Sequence, residues 1–409
     1  MPGELWQFEA LDRLFFRDGR PFNAGEMAWV ESQFPPTGQT LQGALRAAVL
    51  THLGADFEAF RKGQPCVSDG KGGLRSLKDE LGKDDSLGKL DLTGPFVLKD
   101  GPLLFPSPLD LVKIEAGGYE LLCVDEAHPI DCDRGRVCLP RARVPGVKTQ
   151  EGKYLTASAM VGYLAGNVTG VRAPLSQDDT AASLWPLFAD KYDQPALADR
   201  EPKIGLERDD DTRTAEEGML YSVGFVRPRP GVSLGLVVAG LDHANVPTRG
   251  RLQPLGGEGK LAGIEIVKDQ PMVWPNMPAL NAQNGWLRFK LVFTTPALLD
   301  EKGRSWLPQG FTECKSGSST VWRGSLTIPS STISSDVEIV SACVGKPQKV
   351  GGWDMAENAP RPLTGYIPAG SVYFCRAPEG EIANIKQMHR QKIGLKTEYG
   401  FGHVLIGIW

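Results

Sequence analysis

The sequence predicts an α+β protein built mainly of antiparallel sheet. Two observations carry that reading. Short apolar runs with strand character outnumber helical ones, and the two kinds intermix without a regular βαβα alternation. Gly and Pro are abundant, 48 and 31 of 409 residues, so turns are frequent, yet their share stays below the ~25–30% of low-complexity chains. With 41% hydrophobic residues the chain can fill ordinary cores. At about 150 residues per domain, its length suits two to three domains. A split βαβ arrangement used twice accounts for the element count.

Taken in order, residues 5–16 are apolar and aromatic with interspersed charge and read as a strand. Arg17-Asp18-Gly19-Arg20-Pro21 is a turn, because Asp-Gly tolerates positive φ and Pro stops pairing. Thr37 or Thr40 caps a helix whose Leu41, Leu45, Val49 and Leu53 recur at spacing four, with Arg46 beside that stripe. Residues 61–95 are polar, weakly periodic and read as a surface insertion. Residues 156–164 form a second helix, ended by Gly166. Residues 203–221 have apolar ends (Ile204 and Leu206; Met219 and Leu220) around an acidic middle, the pattern of a protruding hairpin.

The apolar runs 219–226 and 232–238 flank Arg227-Pro228-Arg229-Pro230-Gly231, which predicts a hairpin with a basic tip. Further strands are expected at 261–267, 286–293, 337–344, 370–375 and 403–408, with a helix over 384–391. The expected division is an N-terminal domain over 1–235, carrying the 61–95 insertion, and a C-terminal domain over 236–409 that ends in a glycine-rich loop at 394–402.

Several classes of function are set aside by composition. No apolar run approaches the ~20 residues that span a bilayer, and the first 16 residues lack a signal-peptide layout. Seven Cys is an odd, scattered number that suits reduced thiols and a cytoplasmic location. Net charge is −4 with a pI near 5.9. Any contact with nucleic acid is therefore expected from local patches.

Two such patches stand out. In the first, Gly394, Gly400 and Gly402 lie between Lys392, Lys396 and His403. Glycine permits close backbone approach, and open N–H groups can cradle phosphate; a simple tight turn is the competing reading. In the second, Arg134, Arg136, Arg141 and Arg143 precede Lys148 and Lys153. Residues 133–153 hold six basic side chains against Asp133 and Glu151, a net of +4. Arg at alternate positions on an extended strand suits a phosphate backbone, whereas a solvated charged strand is the plainer alternative.

For metals, Cys123, His128, Cys132 and Cys138 have the chemistry of a tetrahedral Cys3His zinc site, but with looser spacing than paired knuckles. Asp209, Asp210 and Asp211 match no EF-hand loop. No nucleophile elbow, kinase signature or H-E-x-x-H is present. His403 is the histidine in the most suggestive company.

The Gly394–Trp409 segment resembles the glycine-rich loop of RAMP proteins, the RNA-binding subunits of CRISPR effectors. The run from Leu11 through Arg17 to Phe22 resembles the opening of the subunit-three family of the type III-B Cmr complex. Phe34-Pro35-Pro36 with Gly43 to Arg46, Ile204-Gly205-Leu206 through Tyr221, Leu255-Gly256-Gly257-Glu258, and Gly351-Gly352-Trp353-Asp354 fit the same family in the same order.

The resemblance implies two ferredoxin-like (RRM-like) RAMP domains with insertions. It implies a non-catalytic subunit, without cofactor or metal, that holds the 5′ tag of the guide RNA (crRNA). Such a subunit docks the large polymerase-like Cmr subunit, neighbours backbone and other RAMP subunits, and meets target RNA only indirectly. No membrane is involved. Under this reading Arg17, Arg20 and Arg46 face one RNA groove, and Arg141 and Arg143 with Lys392, Gly394, Lys396, Gly400, Gly402 and His403 contact RNA. Ile204 and Leu206 form the stem of a thumb. The alternatives are a metal-independent endoribonuclease of CRISPR repeat RNA, using Tyr399, His403 and His52, and a scaffold that binds protein alone.

Overall fold

The structure is a computed structural model that describes residues 3–17, 29–83, 86–133, 135–168, 197–208, 211–247, 251–267, 272–317, 319–329, 334–354 and 359–409. Among these, no helix is long and apolar enough to cross a membrane. The chain forms two units that interleave along the sequence. Unit 1 takes residues 1–101, 196–271 and 349–364, and unit 2 takes the rest. They are not the sequential halves 1–235 and 236–409 that the sequence suggests, because the strand that spans that boundary pairs wholly inside unit 1.

Unit 1 contains β1 (Glu4–Ala10), β2 (Trp29–Glu31), α1 (Gly38–His52), α2 (Phe57–Arg61), α3 (Lys78–Leu81) and β3 (Asp91–Lys99). After a long excursion it resumes with β4 (Ala198–Arg208), β5 (Ala215–Pro228), β6 (Val232–Ala239), β7 (Arg251–Pro254) and β8 (Leu261–Val267). Its main sheet runs β3-β6-β1-β8-β7, antiparallel throughout. Strand β1 is central, with Trp6 opposite Leu236 on one side and Ile266 on the other. Trp6, Phe8, Leu234 and Leu236 are buried.

Helix α1 packs against β3 and β7. Thr37 is its N-cap residue, and Leu41, Ala44, Leu45, Ala48 and Val49 make its buried stripe. Strands β4 and β5 form a long antiparallel hairpin, with β2 added parallel to β5.

Unit 2 contains α4 (Ala157–Leu164), β9 (Trp286–Phe293), β10 (Ser319–Thr327), β11 (Ser334–Cys343), β12 (Val372–Pro378), α5 (Ile382–Met388) and β13 (Val404–Gly407). The Thr156 side chain caps α4 by accepting from the Ala159 N–H. The sheet runs β10-β11-β12-β9-β13. Strands β12 and β13 are both antiparallel to β9, so they are parallel to each other, and α5 connects them. Strand β9 thus sits inside a β12–α5–β13 crossover, a split βαβ unit.

Period-two alternation divides β9. Leu287, Phe289, Leu291 and Phe293 enter the core with Ile339, Tyr373, Cys375, Ile385, Met388 and Ile406. Trp286, Arg288 and Lys290 take the opposite face. On that face Lys290 is buried, its Nζ 2.6 Å from Asp110, which also accepts the Tyr163 hydroxyl at 2.6 Å.

Three expectations need correction. The runs around Arg227 to Gly231 are not partners: β5 pairs with β4 and β2, while β6 pairs with β1 and β3. The basic tip is also neutralised, since Arg227 meets Glu201 and Asp12, and Arg229 meets Asp199.

The 61–95 stretch is not a simple surface insertion. Its last residues begin β3, and Leu77, Leu81, Leu87 and Leu90 are buried. The Arg46 guanidinium donates to the carbonyls of Leu81 and Ser86, and the Glu80 carboxylate accepts from the Asp242 N–H and the Asn245 amide. Polar composition hides this because few apolar residues anchor the segment.

Replacing Leu81 by Ala is expected to cost ~2–5 kcal/mol in urea unfolding of the full chain. An idle surface insertion would lose less than about 0.5 kcal/mol.

Candidate nucleic-acid interface

The C-terminal glycine loop is packed against its own fold. At Gly394 (φ +105) an added Cβ would lie 2.5 Å from the Leu298 carbonyl oxygen, and at Gly402 (φ +76) 2.0 Å from that of Ile393. Glycine is needed at both positions because backbone approaches backbone. The N–H groups of Ile393, Leu395, Gly400 and Gly402 donate to the carbonyls of Gly402, Leu298, Thr397 and Pro296. These donors are spent inside the protein and do not stand open for phosphate. Lys392 is buried, and Lys396, at φ +54, is exposed.

His403 is 1% exposed. Its Nδ1 lies 2.5 Å from the Thr294 hydroxyl, its N–H donates to Thr295, and its ring is 5.3 Å from that of Trp274. Burial first, then the charge of Lys392, pushes its pKa down to about 3. A neutral imidazole closed off from solvent is badly placed for proton transfer to RNA. Tyr399 is also buried, and His52 belongs to the last turn of α1 in unit 1.

The basic run ending at Arg143 is not one strand. Arg136 lies in a short strand, Gly135–Val137, that pairs parallel to β10, and Arg141 in another, Pro140–Arg141, that pairs with Cys123–Val124. Three of the cations have an acid nearby: Asp131 for Arg136, Asp125 for Arg141 and Glu115 for Lys148, at 3.4–3.8 Å. The Arg143 N–H donates to Glu120. Such exposed pairs are worth ~0–1 kcal/mol, so they exchange readily for phosphate. Arg17 is exposed and bridges Ser32 through its backbone. Arg46 is tied to the 61–95 segment through the Leu81 and Ser86 carbonyls. Arg20 and Arg134 lie outside the described residues.

The β4–β5 hairpin fits the expected 203–221 element and extends beyond it, with Ile204 opposite Ser222 and Leu206 opposite Leu220. Ile204 is 68% exposed; the Leu206 side chain lies outside what is described. Sequence reasoning missed the latch at the hairpin's base. Glu201 takes both Arg227 and Arg13, while Arg227 also holds Asp12 at 2.5 Å. Arg227, then Arg13, keeps the Glu201 carboxyl below its ordinary range. The partners are up to 215 residues apart, and no local pattern announces them. Beside them, the Phe15 ring meets Phe225 at 5.5 Å, and the Gly257 N–H donates to the Phe15 carbonyl. Two strings that carry the resemblance, around Phe15 and Gly256, are therefore packed together.

The four candidate zinc ligands do not converge. Cys138 is buried beside Ser319, Cys132 is exposed beside the Gly135 carbonyl, and His128 faces Asp125. Among the described residues, no group of three or more His, Cys, Asp or Glu is placed to hold a metal ion.

A family model described as CRISPR-associated protein (Cas_Cmr3) matches residues 6–409. The chain belongs to this family. No curated relative matches it. Among solved structures, it is similar to a chain of the cryo-EM structure of the Type III-B Cmr-beta bound to cognate target RNA, at 16% identity. That match covers 94% of this chain and 89% of the other, with a TM-score of 0.46. A chain of the same assembly bound to cognate target RNA and AMPPnP, state 1, matches at 15% identity over 90% and 86%, with a TM-score of 0.45.

For this Cas_Cmr3 family member two outcomes are expected. Gly402→Ala should lower stability by at least ~2 kcal/mol, from positive φ and a backbone clash together. Calorimetry of the full chain checks it, and an unchanged melting temperature would contradict the packed-loop account.

The second concerns pH. The folded pKa of His403, about 3, lies below the unfolded value of ~6.5, so the unfolded chain binds the extra proton. Its contribution is fully present above pH ~6.5 and is lost as pH falls toward about 3. Between pH 7 and 5 the loss should be roughly 2 kcal/mol. Urea titrations at both values, compared with His403→Gln, check this; an equal pH response in the variant would remove His403 as the source.

Proposed function

We propose that this chain is a non-catalytic, guide-RNA-binding subunit of a type III-B Cmr effector complex in antiviral defence. It holds the 5′ tag of the crRNA and docks the large polymerase-like subunit beside neighbouring RAMP and backbone subunits. The observation that carries this reading is the family membership over residues 6–409. The split βαβ of β12–α5–β13 around β9 supports a ferredoxin-like core of the RAMP kind.

The RNA contacts are assigned to the outward groups: Arg17, Arg141, Arg143 and Lys396. The glycines of the C-terminal loop shape the backbone that presents Lys396. In the β4–β5 hairpin, the exposed Ile204 side chain acts as a wedge at the junction of tag and guide, where apolar contact offsets the few kcal/mol needed to unstack a base. The burial and neutrality of His403 support a binding role over cleavage.

The test uses purified full chain and single-stranded RNA carrying a repeat-derived 5′ tag. Affinity measured over a range of salt should fall with a slope of about 0.7 per phosphate contact. The Arg141→Ala/Arg143→Ala/Lys396→Ala variant should lose roughly 2 from that slope while keeping its melting temperature. An unaltered slope counts against these contacts, and cleavage of the RNA by the parent chain overturns the non-catalytic assignment.

A further inference from the structure

Strand alternation leaves one part of the unit 2 sheet with an unusual outer face. In register across four adjacent strands stand Arg323, Glu338, Arg376 and Arg288. Two residues along β9 from Arg288 is Trp286, 39% exposed, with the Arg376 guanidinium 5.2 Å from its ring centroid. On the other side, Arg288 lies 5.0 Å from the ring centroid of Trp409, whose indole N–H donates to the Cys375 carbonyl.

Three guanidiniums are matched by two carboxylates. Glu338 takes Arg323 and Arg376; burial raises its pKa, but the two arginines overcome that and hold it below the ordinary range. Glu126 reaches in from the 123–132 segment and bridges Arg288 at 2.7 Å and Arg376 at 3.3 Å. Beside it, Asp125 pairs with Arg141. The side chains of Arg288 and Arg323 are 49% and 60% exposed.

We propose that this face, centred on Trp286, Arg288, Arg376 and Trp409, is a stacking platform for a stretch of single-stranded RNA. It is additional to the tag contacts assigned above and rests on the RNA-binding reading only for the class of strand. Indole faces accept any base, and flanking guanidiniums accept its phosphates. Arg323 and Arg376 answer the buried Glu338 carboxylate, but the Arg288–Glu126 pair is partly exposed and contributes little to folding, so the fold does not require an arginine between the two indoles at position 288. The Glu126 carboxylate, shared by two guanidiniums, marks the position that an RNA phosphate takes over. A protein partner is disfavoured by the excess of arginine over carboxylate on the exposed strands, which complements an anionic chain.

The experiment uses full chain and a labelled 12-nucleotide oligouridine that lacks the tag, read by anisotropy and by tryptophan fluorescence. The parent should bind with quenching of its indoles. Trp286→Ala/Arg288→Ala should weaken binding about tenfold or more, with less quenching and an unchanged melting temperature. Should that variant lose stability, Glu126→Gln serves: it frees two guanidiniums and should tighten oligouridine binding a few-fold. Unchanged affinity in either folded variant overturns the platform.

So does a parent that binds tag-bearing RNA but not oligouridine, an outcome that leaves the tag assignment standing. Oligouridine crosslinks at 286–288 without tag recognition give the reverse result: the platform holds and the tag assignment falls. If Trp286 is shielded by another subunit of the assembled complex and never crosslinks to RNA, the face is a protein interface and the proposal is wrong.

Discussion

Strand β9 is the constraint on which unit 2 depends. It must pair on both edges, with β12 and with β13, and its two faces must serve different surroundings. The odd-numbered positions, Leu287 to Phe293, are uniformly apolar and share a core with α5. The even-numbered positions change character along the strand, from exposed Trp286 and Arg288 to buried Lys290. A one-residue slip would put every one of these groups on the wrong face. The Lys290–Asp110 pair deepens that penalty. Breaking it leaves a charge without a partner in the interior, which costs ~3–5 kcal/mol. Register, core and outer face are thus specified together.

The glycine-rich segment and the hairpin follow different rules. In the first, glycine lets two protein backbones touch, so the residues around it are fixed by packing and Lys396 is set by the loop's shape. In the second, a ladder of backbone hydrogen bonds carries the stem, and the charged latch of Glu201, Arg13, Arg227 and Asp12 fixes only its root. One surface element is rigid by close packing, the other by pairing.

Two strands, one in each unit, are legible in the sequence almost to the residue. The apolar runs 261–267 and 286–293 have the observed bounds of β8 and β9, because a run of seven or eight residues is a strong local signal. Helices α1 and α4 are announced by Thr37 and Thr156 at their starts. What stays hidden is non-local. Strands β5 and β6 are neighbours in sequence but belong to different sheets, a choice made by β1, β3 and β4 rather than by the turn between them. Site residues divide the same way. Exposure of Ile204 agrees with the protruding-hairpin pattern of residues 203–221, whereas the burial of His403 depends on Trp274 and Thr294, more than a hundred residues earlier. The arginine ladder over β9 to β12 is invisible in the sequence because each strand contributes only one or two of its members.

The order of strands in unit 1 also bears on how the chain is made. Strand β6 sits between β1 and β3, yet its first residue, Val232, follows Lys99 by 232 − 99 = 133 positions. At a synthesis rate of ~5–20 residues per second, a nascent chain carries β1 and β3 for on the order of ten seconds before the strand that joins them leaves the ribosome. Through that interval Trp6 and Phe8 lack both of the strands that pair with β1. Production of this chain therefore depends on what shelters those side chains during translation, and conditions that slow elongation between residues 99 and 232 lengthen the exposure.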